Sequence, residues 1–451
     1  MSAPLDLLVH ATSALVDGVF RPATISVRDG VIVDVEPLHD GTGEWIDAAE
    51  IVTLDADTVL VPGLVDSHVH VNEPGRTEWE GFASATRAAA SGGVTTIVDM
   101  PLNSIPATVD VDALDTKQDV ARPQSFVDVG FWGGAIPASL GSLAPLHDRG
   151  VFGFKAFLAP SGVNEFPHLD SAGLDEALAE VAALGSVLIV HAEDPDELAR
   201  HEKHGGRDYR AFEASRPDSV ETVAIDRVIA GVRRTGARAH ILHLSSGAAL
   251  PALAAARADG LPITVETCPH YLCLTAEEIP DGATQFKCCP PIRDSANRDA
   301  LWQGLTDGVI DIIVSDHSPS TRELKFAHDG DFGVAWGGIA GLQVGLTAVW
   351  AEAHRRGISL ERVVEWMSRG PADFLGLPAK GRIAIGADAD LAVFLPTWAS
   401  TVDATRLEHK NPVSAFDGAG VLGRVDDVWL RGHRIDIDGL PSGALLERPA
   451  S

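Results

Sequence analysis

Cysteine is scarce in this chain: only Cys268, Cys273, Cys288 and Cys289 occur in 451 residues. The vicinal pair Cys288-Cys289 would make a strained disulfide, so the thiols are expected to be free and the protein cytoplasmic. Cys-x4-Cys followed by a vicinal pair also fits a structural zinc motif poorly. Positive charge is short too, with 35 Lys and Arg against 64 Asp and Glu and a net charge of −29. A surface that acidic disfavours nucleic acid and anionic membranes as partners and promotes solubility. No uncharged apolar run approaches the roughly 18 residues of a membrane span. Residues 1–6 lack a basic region followed by an apolar stretch, so no signal peptide is expected.

What is present is a compact globular composition, 45% hydrophobic, with a mean hydropathy of +0.09. The length suits one large α/β unit with an appendage, or two to three domains. The chain is organised around Val61-Pro62-Gly63-Leu64-Val65-Asp66-Ser67-His68-Val69-His70, which reads as a buried strand. Alternation turns Asp66, His68 and His70 to one face. Two imidazoles at a strand end can hold one divalent ion; alone, they could equally be core histidines.

Residues 1–60 read as short strands separated by turns, with a hairpin signal at Arg28-Asp29-Gly30. Residues 381–451 repeat this style, at 390–394 and 427–432. Neither flank is large enough to fold alone, so both are expected to join in one small β-sandwich domain. Between them, residues 61–380 alternate strand and Ala-rich helix. Strands are expected at 61–70, 93–100, 125–135, 150–158, 186–193, 237–245, 262–271 and 311–316. Eight alternations imply the α/β class and a (β/α)8, TIM-like barrel. A doubly wound sheet competes, but it would normally carry a Gly-rich phosphate turn after its first strand, where this chain has His-x-His.

Polar residues recur where these strands end: Lys155 after the fourth, His191 after the fifth, His243 after the sixth, Asp316 after the eighth. With His68 and His70 they make four imidazoles, a carboxylate and a lysine from five of eight strand ends, which core packing explains badly. Such a set suits a borderline metal such as zinc. An ammonium cannot ligate. Lys155 fits either as a neutral amine that has taken up carbon dioxide, giving a bridging carbamate, or as a cation that polarises a carbonyl.

Asp66-Ser67-His68-Val69-His70, Lys155, His191, His243 and Asp316 together resemble the binuclear metal site of the cyclic amidohydrolases, a family of dihydroorotases, hydantoinases and allantoinases. The resemblance spans essentially the whole chain. It implies two divalent ions, zinc by expectation, with His68, His70 and Asp316 on one, His191 and His243 on the other, and N6-carboxylated Lys155 between them. Two such ions make hydroxide from water near neutral pH. Asp316 would take the water's proton and pass it to the departing ring nitrogen as a cyclic amide opens. The resemblance further implies a homotetramer acting on a small molecule.

Substrate choice rests on departures within the family. Dihydroorotases carry His-x-His-Leu-Arg-Glu-Pro-Gly, whose arginine holds a carboxylate. Here Asn72 stands in that arginine's place, in His70-Val71-Asn72-Glu73-Pro74-Gly75, and an amide suits an uncharged ureido group. Arg76 is the residue that could replace the missing arginine. Arg76-Thr77-Glu78-Trp79-Glu80-Gly81-Phe82 and Lys155-Ala156-Phe157-Leu158-Ala159-Pro160-Ser161-Gly162 are similar to allantoinases, which implies hydrolysis of allantoin to allantoate. Hydantoinases place an oxyanion-binding tyrosine where this chain has Pro160-Ser161, which makes Ser161 a candidate substitute. Cys289 and Gly337 are expected to offer backbone groups to the ring. His270 and His317 are strand-end residues open to a supporting or a packing role, Asp66 could orient a histidine, and His201 and His204 are expected to be solvated. Relatives that have lost their ligands and become scaffolds would lack these residues; here all six positions are filled.

Overall fold

A computed structural model describes residues 5–38, 47–202 and 205–449. His204 lies outside the described residues; His201 is partly exposed, 3.7 Å from Glu197. The central part of the chain forms the expected barrel. Its strands are β1 (Leu64–Val69), β2 (Val94–Asp99), β3 (Asp128–Phe131, resuming at Gly133–Gly134), β4 (Phe154–Phe157), β5 (Val187–His191), β6 (Arg238–Ile241), β7 (Ile263–Thr267) and β8 (Ile312–Ile313). Neighbours pair in parallel from β1 to β8. The ring closes where Val69 bridges His317 and the His70 N–H donates to the His317 carbonyl at 2.8 Å. Every residue of β1 is buried, as expected of a strand with helices on one face and the barrel interior on the other.

Several of the outer helices begin at an aspartate. Asp110, Asp170 and Asp294 each accept a backbone N–H in the first turn of Val111–Ala121, Ser171–Ala183 and Ser295–Thr306, satisfying a donor the helix cannot pair internally. The long helix Asp218–Thr235 stops at Gly236, whose φ of 70° is left-handed.

Both ends of the chain meet in one eight-stranded sheet. In it, Val19–Arg28 and Val31–Glu36 form the expected hairpin, turned by Asp29 and Gly30 at φ 51° and 78°. Leu391–Thr401 and Gly420–Leu430 supply the C-terminal share. Val59–Pro62 also belongs to this sheet, pairing with Leu391–Thr401. The single strand expected over 61–70 is therefore two. Gly63 stands between them, packed so closely that a Cβ there would overlap the Thr95 side chain. A buried ionic knot joins sheet to barrel: Lys380 donates to Asp128 at 2.7 Å and to Asp390 at 2.8 Å.

The other strands are all shorter than expected, β4 and β6 reduced to Phe154–Phe157 and Arg238–Ile241, and two cases have visible causes or consequences. The one expected over 262–271 ends at Thr267, and Pro269 starts the short helix Pro269–Cys273. Proline suits a first helical turn because it has no N–H to leave unpaired. Of 311–316, only Ile312 and Ile313 pair in the sheet; Asp316 follows in a left-handed conformation with φ 42°.

Candidate metal centre

The C-terminal ends of the barrel strands gather four imidazoles into one contiguous group. Ring centroids are 5.4 Å apart for His68 and His70, 5.5 Å for His68 and His243, and 4.6 Å for His191 and His243. Asp316 Oδ1 lies 3.2 Å from His68 Nε2 and 3.6 Å from His70 Nε2. One ligand atom from each of these three lies within 4.8 Å of the others. On the other side, His191 Nδ1 and His243 Nε2 converge to 3.0 Å. Lys155 stands on β4, buried, its Nζ 4.9 Å from the Phe157 ring centroid. Two of the candidates hold a backbone that L-residues rarely adopt, His243 at φ 35° and Asp316 at φ 42°. Such conformations persist where the surroundings enforce them and cluster at functional sites.

Carboxylates behind the rings set which nitrogen is free. His68 Nδ1–H donates to Glu266 Oε1 at 2.5 Å, leaving Nε2 buried without a hydrogen bond. His191 Nε2–H donates to Glu193 Oε2 at 2.7 Å, leaving Nδ1 turned toward His243. A ring that gives its proton to a carboxylate offers the other nitrogen's lone pair to a metal. Sequence reading placed Asp66 in that orienting role. The structure instead engages Asp66 with the backbone N–H groups of His68 at 3.1 Å and Ser315 at 3.0 Å, and Glu266 from β7 orients the ring.

The electrostatics favour a cation. Burial, reinforced by the Lys155 charge, pushes the His68 and His70 imidazoles well below their usual range, so both are neutral bases at neutral pH. Burial pushes the Asp316 carboxyl up and the Lys155 amine down. These shifts are the cost of burying ionisable groups whose charge a metal would balance. The donor set of imidazole nitrogens and carboxylate oxygen suits zinc, cobalt, manganese or iron.

A cavity of about 730 Å³ opens over this group, with His70, Lys155, His191, His243 and Asp316 in its wall. Ser161, Cys289 and Gly337 line it as well. The Ser161 hydroxyl is already engaged with backbone carbonyls, Val163 at 3.2 Å and Phe166 at 2.6 Å. Asn72 does not reach the wall: it is buried, its Nδ2 3.4 Å from the Pro319 carbonyl. Nor does Arg76, whose Nη1 donates to Glu165 at 2.5 Å and to the Asn103 carbonyl at 2.8 Å. His317 takes a hydrogen-bonding role, 3.1 Å from Glu80.

Sequence reading passed over Glu193, Glu266 and Arg216. Glu193 had a signal, two residues past His191 at the same strand end. Glu266 had one too, as a lone carboxylate in the apolar run Ile263-Thr264-Val265-Glu266-Thr267. Arg216 had none; it reaches Glu193 Oε1 at 2.6 Å from the bend that precedes the helix Asp218–Thr235 and lines the cavity.

Comparison with known proteins agrees with this geometry. Residues 59–435 match the amidohydrolase family. The chain belongs to the amidohydrolase family. It is 55% identical over 447 residues to an allantoinase of Streptomyces avermitilis, covering 98% of this chain and 99% of that one. It is 46% identical over 438 residues to the allantoinase of Saccharomyces cerevisiae, covering 94% of each. Among solved structures, the L-hydantoinase (dihydropyrimidinase) from Arthrobacter aurescens superposes with a TM-score of 0.91 at 30% identity, over 98% of this chain and 100% of that one. Amidohydrolases depend on metal, and His68, His70 and Asp316 are close enough together that they could hold one ion. Among the described residues no helix is long and apolar enough to cross a membrane, and all four cysteines are free.

Proposed function

We propose that this chain is an allantoinase, opening the hydantoin ring of allantoin to allantoate. The observation that carries the reading is the convergence of His70, Asp316, His191, His243 and Lys155 on one cavity, with His68 buried behind it against His70 and Asp316, in a chain 55% identical to a named allantoinase. Two divalent ions, by preference zinc, would sit there, His68, His70 and Asp316 holding one and His191 and His243 the other. Lys155 would bridge them after its neutral amine adds carbon dioxide, forming an N–C bond and releasing a proton. Burial supports that step by favouring the neutral amine. When bound, the ions supply Lewis acidity and a hydroxide nucleophile near neutral pH.

The chain's own groups do the rest. The Asp316 carboxylate would accept the nucleophile's proton and return it to the ring nitrogen, which leaves poorly unless protonated. Glu266 and Glu193 hold the histidine rings in their ligating tautomers. Cys289 and Gly337 would offer backbone groups to the substrate from the cavity wall, Ser161, its hydroxyl bound to the Val163 and Phe166 carbonyls, would shape that wall, and Asn72, lying outside it, would act through the turn that carries it. Arg76 is tied to Glu165, which weighs against a carboxylate-bearing substrate such as dihydroorotate. We also propose a cytoplasmic homotetramer, which light scattering of the purified protein tests.

The deciding experiment is a side-by-side assay of metal-loaded protein on allantoin, dihydroorotate and unsubstituted hydantoin. Turnover confined to allantoin is expected. Preference for dihydroorotate would overturn the substrate reading and leave the metal centre standing.

A further inference from the structure

Asp316 also belongs to a second set of possible ligands, whose other members are not in the cavity wall. Cys268, His270 and Asp316 each place one donor atom within 4.8 Å of the others. Cys268 is 0% and His270 1% exposed. Neither ring nitrogen of His270 has a hydrogen-bond partner, an unusual state for a buried imidazole. Its ring packs on Tyr271 at a centroid distance of 4.2 Å, which fixes its orientation without satisfying it. Cys268 Sγ, His270 and a carboxylate make a donor set for zinc, or for a softer thiophilic ion such as cadmium. Asp316 lines the cavity, so an ion would arrive past its carboxylate.

We infer that Cys268, His270 and Asp316 form an accessory cation site that shares Asp316 with the catalytic centre. Loading it displaces the Cys268 thiol proton to solvent as the sulfur–metal bond forms. It also draws the Asp316 carboxylate away from proton transfer, so excess zinc or cadmium inhibits. The inhibition rests on the proposed role of Asp316; the binding does not. None of His68, His70, Lys155, His191, His243 and Asp316 carries sulfur, so a sulfur–metal signal arises outside the catalytic set, and the cysteine variants separate Cys268 from Cys288 and Cys289, which line the cavity.

The test is a cadmium titration of the full-length protein already loaded with its two catalytic equivalents, followed through the ultraviolet sulfur-to-cadmium charge-transfer band. The expected result is a band that saturates with one further equivalent. It should be absent in Cys268→Ser, strongly weakened in His270→Gln and unchanged in Cys273→Ser. Thermal melts of each variant confirm folding. In the same series, Cys268→Ser and His270→Gln should keep turnover at two equivalents and lose inhibition by excess metal. A band that survives Cys268→Ser, or vanishes only when Cys288 or Cys289 is replaced, would overturn the site. A Cys268-dependent band without inhibition would uphold the site and refute the role given to Asp316.

Discussion

His68 and His191 each give one ring proton to a carboxylate, but the two carboxylates live in opposite environments. Glu266 sits among His68, His240 and the His243 N–H, 2.5, 2.9 and 3.1 Å away. Burial pushes it up to about 8, only partly offset by the His243 N–H and the Lys155 charge. Burial raises Glu193 as well, yet Arg216 and His191 outweigh it and hold Glu193 at about 2. One side of the centre is therefore supported by a permanent anion. The other has a support whose ionisation awaits a nearby cation. Like ligands on unlike supports should differ in how firmly they hold an ion and in what their metal-free forms tolerate.

The largest disturbance removes the group proposed to bridge the two sides. Lys155→Ala should lose most activity and bound metal, more than the 10–100-fold typical of outer supports, with partial return on adding a short-chain carboxylic acid. Full activity in that variant would rule out the bridging carbamate. Next, Glu193→Gln and Glu266→Gln should each weaken metal binding by about 10–100-fold, each on its own side. Metal analysis after graded chelation should then show one ion lost before the other, in opposite order for the two variants. Equal loss of both ions from both variants would erase the distinction drawn here.

A smaller effect appears in metal-free protein, as a urea midpoint followed against pH. Glu193 is lowered from 4.5 to about 2, so its contribution is complete above pH 4.5 and is lost as pH falls toward 2. Glu266 is raised from 4.5 to about 8, so its penalty is absent below pH 4.5 and grows as pH rises to about 8. Glu193→Gln should flatten the acid limb and Glu266→Gln the alkaline limb. The smallest change expected is Arg216→Lys, which keeps the charge and gives up the planar fork. It should weaken the His191 side less than Glu193→Gln, by the same chelation series.

The barrel was legible because its strands are apolar runs that end in polar residues, and the candidate ligands because each stands at such an end. His68 and His70 share a face through simple alternation, and no tertiary knowledge is needed to see it. The misplacements have local causes. Gly63 looks harmless in an apolar run until Thr95 is packed against it, and Pro269 turns an expected strand into a helix. The supports were harder to read. Glu266 meets His68 across 198 positions, and Asp66, two residues away in sequence, looked the better partner.

The amino-acid order alone determined which residue types could ligate, on which strand ends, and with which spacing, because backbone periodicity acts over a few residues. Only the tertiary structure decided which carboxylate faces which ring, that Arg76 is tied to Glu165 while Arg216 stands at the cavity, and that Asn72 lies off its wall. Those are distances between segments far apart in the chain, and packing sets them.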